Sequence, residues 1–153
     1  MPKPTKRSKA LMPISREHHH GLLLSFKIRE GLKKKIAPSR IKKYTDWFWE
    51  SHLQSHFDFE EKYIFPILGK NNDLIKRALQ EHTRLKQLFF SADKVKENLL
   101  LIEQELTAHI RFEERILFTE IESVASEDEL HMIASEHSKV ITDEWQDEFW
   151  KVK

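Results

Sequence analysis

Apolar residues recur at spacings of three and four along most of the chain, and no segment shows a sustained alternation of apolar and polar positions. This spacing puts apolar side chains on one face of a helix, so it predicts amphipathic helices and no sheet. Prolines and capping residues divide the pattern into predicted helices over residues 16–35, 39–64, 73–92 and 93–124, with a last helical stretch over 126–150. Ser15 is the predicted N-cap of the first helix, and Ser126 with Glu129 forms a capping-box pattern before the last.

The connections between these predicted helices are short, which makes successive helices antiparallel neighbours. The sequence therefore predicts an all-α fold, an up-down-up-down four-helix bundle with an additional C-terminal helix. We expect three regions along the chain. They are a disordered basic tail over residues 1–13, the four-helix bundle over 14–125, and a C-terminal helical segment packed on the bundle over 126–153.

Composition excludes several classes of protein. The chain has 26 Lys and Arg against 25 Asp and Glu, a net charge of +1, without the basic excess of a nucleic-acid binder. With no cysteine, it cannot form a disulfide, an iron–sulfur cluster or a thiolate zinc site. Its three glycines are too far apart for a phosphate-binding loop. No apolar run approaches the roughly 18 residues of a membrane span, and residues 1–13 lack the apolar core of a secretory signal. We expect a cytoplasmic protein that binds neither nucleic acid nor membrane.

Two segments, residues 56–68 and 109–121, form an internal repeat at an offset of 53 positions, HFDFEEKYIFPIL and HIRFEERILFTEI. Each copy has a histidine four residues before a glutamate, His56 with Glu60 and His109 with Glu113. Side chains at positions i and i+4 of a helix lie on the same face and can reach one metal ion. A single pair of this kind is common on solvated helices, whereas two copies within a repeat indicate a metal site.

Two further histidines complete a predicted set of donors. The dipeptides Glu17-His18 and Glu81-His82 each place a histidine in an apolar stripe, so four helices would supply four imidazoles and two carboxylates. Six donors are too many for one zinc ion but suit two octahedral iron ions that share bridging carboxylates. The predicted metal ligands are His18, His56, Glu60, His82, His109 and Glu113. No residue is predicted to be catalytic or to bind an organic cofactor.

The first predicted helix offers three neighbouring histidines, His18, His19 and His20. On a helical wheel the apolar arc of this helix centres close to His18, while His19 and His20 point about 100° and 200° away. Gly21 and Ser25 lie on the same arc as His18, and their small side chains would leave room for a metal cluster. We therefore prefer His18 as the ligand, with His19 as the second choice.

Other polar residues near the motifs have more than one interpretation. His52 lies one turn before His56 and could be an additional ligand or support one. Glu61 could fill a spare coordination position, although Glu61 and Glu114 are expected to be exposed. His131 and His137, in the last helical stretch, are expected to be structural or solvated.

These motifs resemble those of the hemerythrin-like, HHE cation-binding family. The similarity extends over about residues 15–122 and rests on REHHHGLLLSF, HFDFEEKYIFPIL, QEHTRL and HIRFEERILF. The resemblance implies an up-down four-helix bundle around a non-haem di-iron centre, with two iron ions as cofactors and with Glu60 and Glu113 as bridging carboxylates. Oxygen-carrying members place a further histidine one turn after the ligand on the third helix, where this chain has Lys86. We therefore expect no reversible oxygen carrier.

The expected function is a di-iron-binding protein that senses, binds or buffers oxygen, nitric oxide or iron. A di-iron enzyme that reduces peroxide or oxygen is the alternative, and a metal-free helical interaction domain is the third possibility. The expected partners are metal ions and small diatomic ligands. The C-terminal segment, whose residues 127–148 are acidic, could also bind a protein partner or a second copy of the chain.

Overall fold

The computed structural model describes residues 7–137 and 145–153 of the chain. Within these residues every regular element is helical, which confirms the predicted all-α class. The α-helical segments are α1 (Met12–Lys33), α2 (Pro38–Phe48), α3 (Gln54–Phe59), α4 (Asp73–Phe90), α5 (Val95–Phe112), α6 (Phe118–Val124) and α7 (Glu127–Glu136).

Some of these segments join into longer helices through wider, π-helical turns. The π turns Trp49–Leu53 and Glu60–Ile64 and the 3₁₀ turn Phe65–Ile67 connect α2 and α3 into one helix over residues 38–67. The π turn Glu113–Leu117 joins α5 to α6 over residues 95–124. The described chain thus forms five successive helices, as the sequence predicts. Helix α5 packs along both α1 and α4, and α7 packs against the π turn Glu60–Ile64.

The apolar core has two clusters with a polar layer between them. One cluster is built around Leu24, Ile28, Phe89 and Phe149, and the other around residues that include Ile14, Ile64 and Phe118. On α1, for example, His18 lies between Ile14 of one cluster and Leu24 of the other. Because apolar side chains close both ends of this layer, polar groups inside it are shielded from water at those ends.

The N-terminal boundary differs from the prediction. Helix α1 begins at Met12 with Pro13 in its first turn, and Leu11 rather than Ser15 is the N-cap. Proline is well placed there because the first turn leaves its N–H positions unbonded in any case. Ser15 lies inside the helix and its hydroxyl donates to Glu114. Residues 7–13, part of the predicted disordered tail, contact the bundle: Leu11 is buried and Arg7 pairs with Glu122.

The C-terminal stretch is shorter as a helix than the sequence predicts. The capping box of Ser126 and Glu129 is confirmed, but α7 ends at Glu136. The predicted helix over 138–144 lies outside the described residues, residues 145–148 are not helical, and Phe149–Lys151 forms a 3₁₀ turn. Phe149 is fully buried, and its ring lies so close to Gly31 that a Cβ there would sit 2.8 Å from it.

Candidate metal centre

The structure brings the six predicted ligands together in the polar layer. All six are buried, with side chains between 0% and 6% exposed. Their donor atoms form two groups in which all atoms lie within 4.8 Å of one another: His18, His56, Glu60 and Glu113 in one, and Glu60, His82, His109 and Glu113 in the other. We call the two groups the His18 half and the His82 half. Glu60 and Glu113 belong to both, so the arrangement has two adjacent positions for a cation.

The helices position these residues in a nearly symmetrical way. His18 is on α1, His56 on α3, His82 on α4 and His109 on α5, while Glu60 and Glu113 are each the first residue of a π turn. The Nε2 atom of His56 lies 3.4 Å from Oε2 of Glu60, and that of His109 lies 3.3 Å from Oε2 of Glu113. The repeat seen in the sequence is therefore also a repeat of local structure. π turns inside α-helices often occur at functional sites.

Each of the four histidines also contacts a second carboxylate, through its other ring nitrogen. These outer carboxylates come from residues next to a predicted ligand, and each reaches a histidine on a different helix. The Nδ1–carboxylate distances are 2.7 Å for His18 with Glu114, 2.8 Å for His56 with Glu17, 2.8 Å for His82 with Glu61, and 2.7 Å for His109 with Glu81.

The outer carboxylates fix how the imidazoles face the cluster. A carboxylate accepts a hydrogen bond, so the Nδ1 atom must carry the proton and donate it. The Nε2 atom then faces the cluster, where its lone pair becomes available once any proton there is displaced. Carboxylate–histidine pairs of this kind orient metal-binding imidazoles and make them stronger ligands.

Several atoms at the centre have no hydrogen-bond partner although they are fully buried. They are Nε2 of His56, His82 and His109, both carboxylate oxygens of Glu60, and Oε2 of Glu113. An unsatisfied buried polar atom costs about 1–3 kcal/mol, and more when it is charged. Nitrogen and oxygen donors that converge without partners match the coordination needs of a divalent metal ion. The residues present therefore fit a metal centre.

The charges of the cluster also fit a metal centre. Burial by itself would lower the pKa of His56, but the negative charge of Glu60 and the hydrogen bond with Glu17 raise it to about 10. For His109, burial is likewise outweighed by Glu113 and Glu81, and its pKa rises to about 9. Burial opposes ionisation of Glu113, yet His109 and its other histidine neighbours hold its pKa well below the usual value. Without a metal, protons on the imidazoles balance the carboxylates, and a binding cation must displace them.

Aromatic rings surround the histidines. The ring of Phe57 stacks on His82 with centroids 3.7 Å apart, and Phe118 stacks on His18 at 5.5 Å. Phe65 lies 5.3 Å from His82. These rings restrict the motion of the imidazoles and keep water from the cluster, which strengthens electrostatic interactions inside it.

The neighbouring histidines of α1 have different positions. His18 is in the cluster, whereas His19 and His20 are exposed. The ring of His20 stacks on His52, with centroids 5.7 Å apart and an angle of 9° between the planes. His52 does not belong to either group of converging donors.

Four residues beside the cluster, Glu61, Glu114, His137 and Lys86, have surroundings that the sequence did not define. Glu61 is exposed, as expected, whereas Glu114 is only partly exposed, and both carboxylates bond the Nδ1 atoms of cluster histidines. His137 agrees with the structural alternative, because its Nε2 atom lies 2.9 Å from Glu17. Lys86 does not face the site: it is exposed, and its ammonium group lies 5.6 Å above the ring of Phe90.

Sequence reasoning missed the four outer carboxylates as a set, together with Ser15 and Arg7, which hold Glu114. The Ser15 hydroxyl donates to Glu114 at 2.6 Å, and the Arg7 guanidinium lies 3.2 Å from the same carboxylate. A signal was present, since Glu-His occurs at 17–18 and 81–82 and Glu-Glu at 60–61 and 113–114. Each dipeptide supplies one residue to the cluster and one to its outer layer.

A cavity of about 190 Å³ adjoins the His18 half. Its wall includes His18, His56 and Glu113 of the cluster and, further out, apolar side chains such as Phe48 and Leu53. His20 and His52 also line it. The cluster is therefore accessible from one side through a largely apolar space.

Comparisons of the chain with protein-family models, with curated proteins and with solved structures give no match. Among the described residues, no helix is long and apolar enough to cross a membrane. The site itself must therefore support any functional conclusion.

Proposed function

We propose that this chain is a hemerythrin-like, non-haem di-iron protein that senses, binds or buffers oxygen, nitric oxide or iron. The observation that carries the proposal is the convergence of six buried residues from four helices, several of whose ligating atoms have no hydrogen-bond partner. Two groups of donors that share Glu60 and Glu113 suit two ions bridged by carboxylates, and imidazole with carboxylate suits iron.

The roles of the chain's own residues follow from this proposal. His18 and His56 would hold one ion, and His82 and His109 the other, with Glu60 and Glu113 bridging them. The outer carboxylates would keep the four imidazoles oriented, and the surrounding phenylalanine rings would exclude water. Bound iron would supply redox chemistry toward small ligands. Four histidines and two bridging carboxylates leave coordination positions on both ions that the six predicted ligands do not fill.

A di-iron enzyme that reduces peroxide or oxygen is the second candidate. The cavity beside the His18 half favours it, because the cavity gives a molecule from solvent a route to His18 and His56. Among the described residues that line this cavity, Glu17 and His137 lie 2.9 Å apart and could pass a proton toward the cluster.

Metal analysis of purified variants tests the proposal. Protein from iron-supplied cells should contain about two iron ions per chain, and His18→Ala or His82→Ala should lower that number markedly. His19→Ala is the matched control because His19 is the exposed neighbour of His18. Iron at background level in a folded protein, or equal iron loss in His19→Ala, would overturn the proposal.

A further inference from the structure

The two halves of the cluster differ in the residues that surround them, although their ligands correspond. Glu17-His18 on α1 corresponds to Glu81-His82 on α4, an offset of 64 positions. The same offset pairs Gly21 with Leu85 and Ser25 with Phe89. One half therefore has two small residues where the other has two large ones.

The large residues fill the space near His82. Leu85 and Phe89 are each only 1% exposed, and the ring of Phe57 stacks on His82 at 3.7 Å. At the offset of 53 positions, the counterpart of Phe57 in the His18 half is Ile110, a smaller side chain. The His82 half thus has the buried Leu85 at the position where Gly21 lines the cavity of the His18 half.

The outer rims differ as well. Beside the His82 half, Arg84 and Glu105 form an ion pair with N–O distances of 3.0 and 3.1 Å. Their counterparts beside the His18 half are His20 and His52, whose stacked rings line the cavity. An ion pair thus joins the helices beside the His82 half, while two stacked imidazoles line the cavity beside the His18 half.

From this difference we infer that the cavity in the His18 half is a binding site for a compact apolar molecule, about the size of one ring, with a single anionic oxygen group directed at the cluster. Its volume of about 190 Å³ exceeds what a diatomic ligand needs. For comparison, an engineered apolar cavity of about 150 Å³ binds benzene.

The two parts of the inferred ligand match two regions of the cavity, its apolar walls and its end beside the cluster. Phe48, Phe57, Phe59 and Ile110 offer apolar contacts to a ring, and His18 with His56 lies at the inner end. A carboxylate or phenolate oxygen there would reach the ion that these two histidines are proposed to hold. This inference deepens the proposed function and rests on it for the anionic end, whereas the ring-binding part depends on the cavity alone.

Ligand-observed ¹⁹F NMR with fluorobenzene tests the ring-binding part without requiring metal. Gly21→Ala should weaken binding about tenfold, because the added methyl group enters the cavity wall and its Cβ would sit 2.7 Å from Cδ1 of Ile110. Gly31→Ala is the matched control on the same helix. Its Cβ would be equally crowded, 2.8 Å from Cδ1 of Ile41, but Gly31 does not line this cavity. It should bind fluorobenzene as the unmodified protein does.

Two further measurements keep the inference falsifiable. Ile110→Ala enlarges the cavity and should increase the affinity for 1-fluoronaphthalene at least tenfold, even if Gly21→Ala does not fold. In protein whose metal content is measured on the same sample, 4-fluorobenzoate should bind at least tenfold more tightly than fluorobenzene when metal is present.

The outcomes distinguish failure of the cavity inference from failure of the metal proposal. No binding of fluorobenzene, or equal binding in Gly21→Ala and the unmodified protein, would overturn the cavity inference while leaving the metal proposal intact. Equal affinity for the two probes in metal-loaded protein would overturn the anionic end of the ligand. Ring binding with the expected variant pattern in a protein that cannot be loaded with metal would support the cavity and reject the proposed function.

Discussion

Removing Glu114 should weaken metal binding at one of the two positions. Its carboxylate accepts from Nδ1 of His18 at 2.7 Å and is itself held by the hydroxyl of Ser15 at 2.6 Å. In Glu114→Ala the imidazole of His18 loses the group that fixes its orientation. We therefore expect the His18 half to bind metal less tightly, and the His82 half, where Glu61 has the same role, to change much less.

The expected loss of metal affinity follows from the contact between the Glu114 carboxylate and His18. Loss of a carboxylate behind a metal-binding histidine typically weakens binding by about 10- to 100-fold. This corresponds to roughly 1.4 to 2.7 kcal/mol. The side chain of Glu114 is 29% exposed, so water can replace part of the lost hydrogen bond and the effect should be nearer tenfold. Glu114→Gln keeps a hydrogen-bond acceptor without the charge, so its metal affinity should fall less than that of Glu114→Ala.

The effect should also depend on pH. Burial lowers the pKa of His18, but hydrogen bonds with Glu113 and Glu114 raise it above its ordinary value. Removing Glu114 therefore lowers this pKa and reduces competition from protons, which partly offsets the loss of orientation when protons are abundant. The ratio of affinities between the unmodified protein and Glu114→Ala should be larger at pH 9 than at pH 6.

Competition with a chelator at limiting metal measures this prediction. Glu114→Ala should retain about one tightly bound ion per chain and release the other at about tenfold lower chelator concentration. Glu120→Ala, at an exposed position on α6, is the control and should match the unmodified protein. If Glu114→Ala binds both ions as tightly as Glu120→Ala does, the assigned role of the outer carboxylates is wrong.

Two other predictions concern pH and Lys86. In the metal-free protein, His56 and His109 have folded-state pKa values of about 10 and 9, above the ordinary value of 6.5, so they contribute stability that is present below pH 6.5 and lost as the pH rises through 9 to 10. Urea denaturation should therefore show a lower free energy of unfolding at pH 10 than at pH 6.5, and a higher one would contradict the assigned charges. Lys86→Ala should leave the iron content unchanged because this side chain is exposed, and a loss of iron would show that Lys86 reaches the cluster.

The sequence predicts much of the candidate site because the internal repeat contains four of its six predicted ligands. Histidine and glutamate four residues apart must share a helix face, so the spacing alone pairs His56 with Glu60 and His109 with Glu113. The wheel of the first helix likewise selects His18, which is buried while His19 and His20 are exposed. These inferences need only the period of an α-helix.

The parts that sequence reasoning missed depend on contacts between helices. Glu61 and Glu114 follow the predicted ligands by one residue, and whether they reach solvent or a neighbouring histidine is set by how the helices cross. Lys86 lies at the margin of the buried face of α4, whose centre is occupied by Leu85 and Phe89. Its long side chain reaches solvent from there.

The π turns could not be read from the sequence either. Those at Glu60–Ile64 and Glu113–Leu117 begin at the predicted bridging carboxylates, and no residue type in these segments requires a wider turn. The C-terminal boundary was wrong for a related reason. Its helical pattern continues to Trp150, but the buried ring of Phe149 packs from a 3₁₀ turn against Gly31.

Anomalous diffraction at the iron absorption edge, from crystals of protein purified from iron-supplied cells, would show whether the cluster binds two iron ions. We expect two iron peaks within the polar layer, one beside His18 and His56 and the other beside His82 and His109, with both in contact with Glu60 and Glu113. A folded protein with no peak in this layer, or with a single ion bound elsewhere, would contradict this expectation.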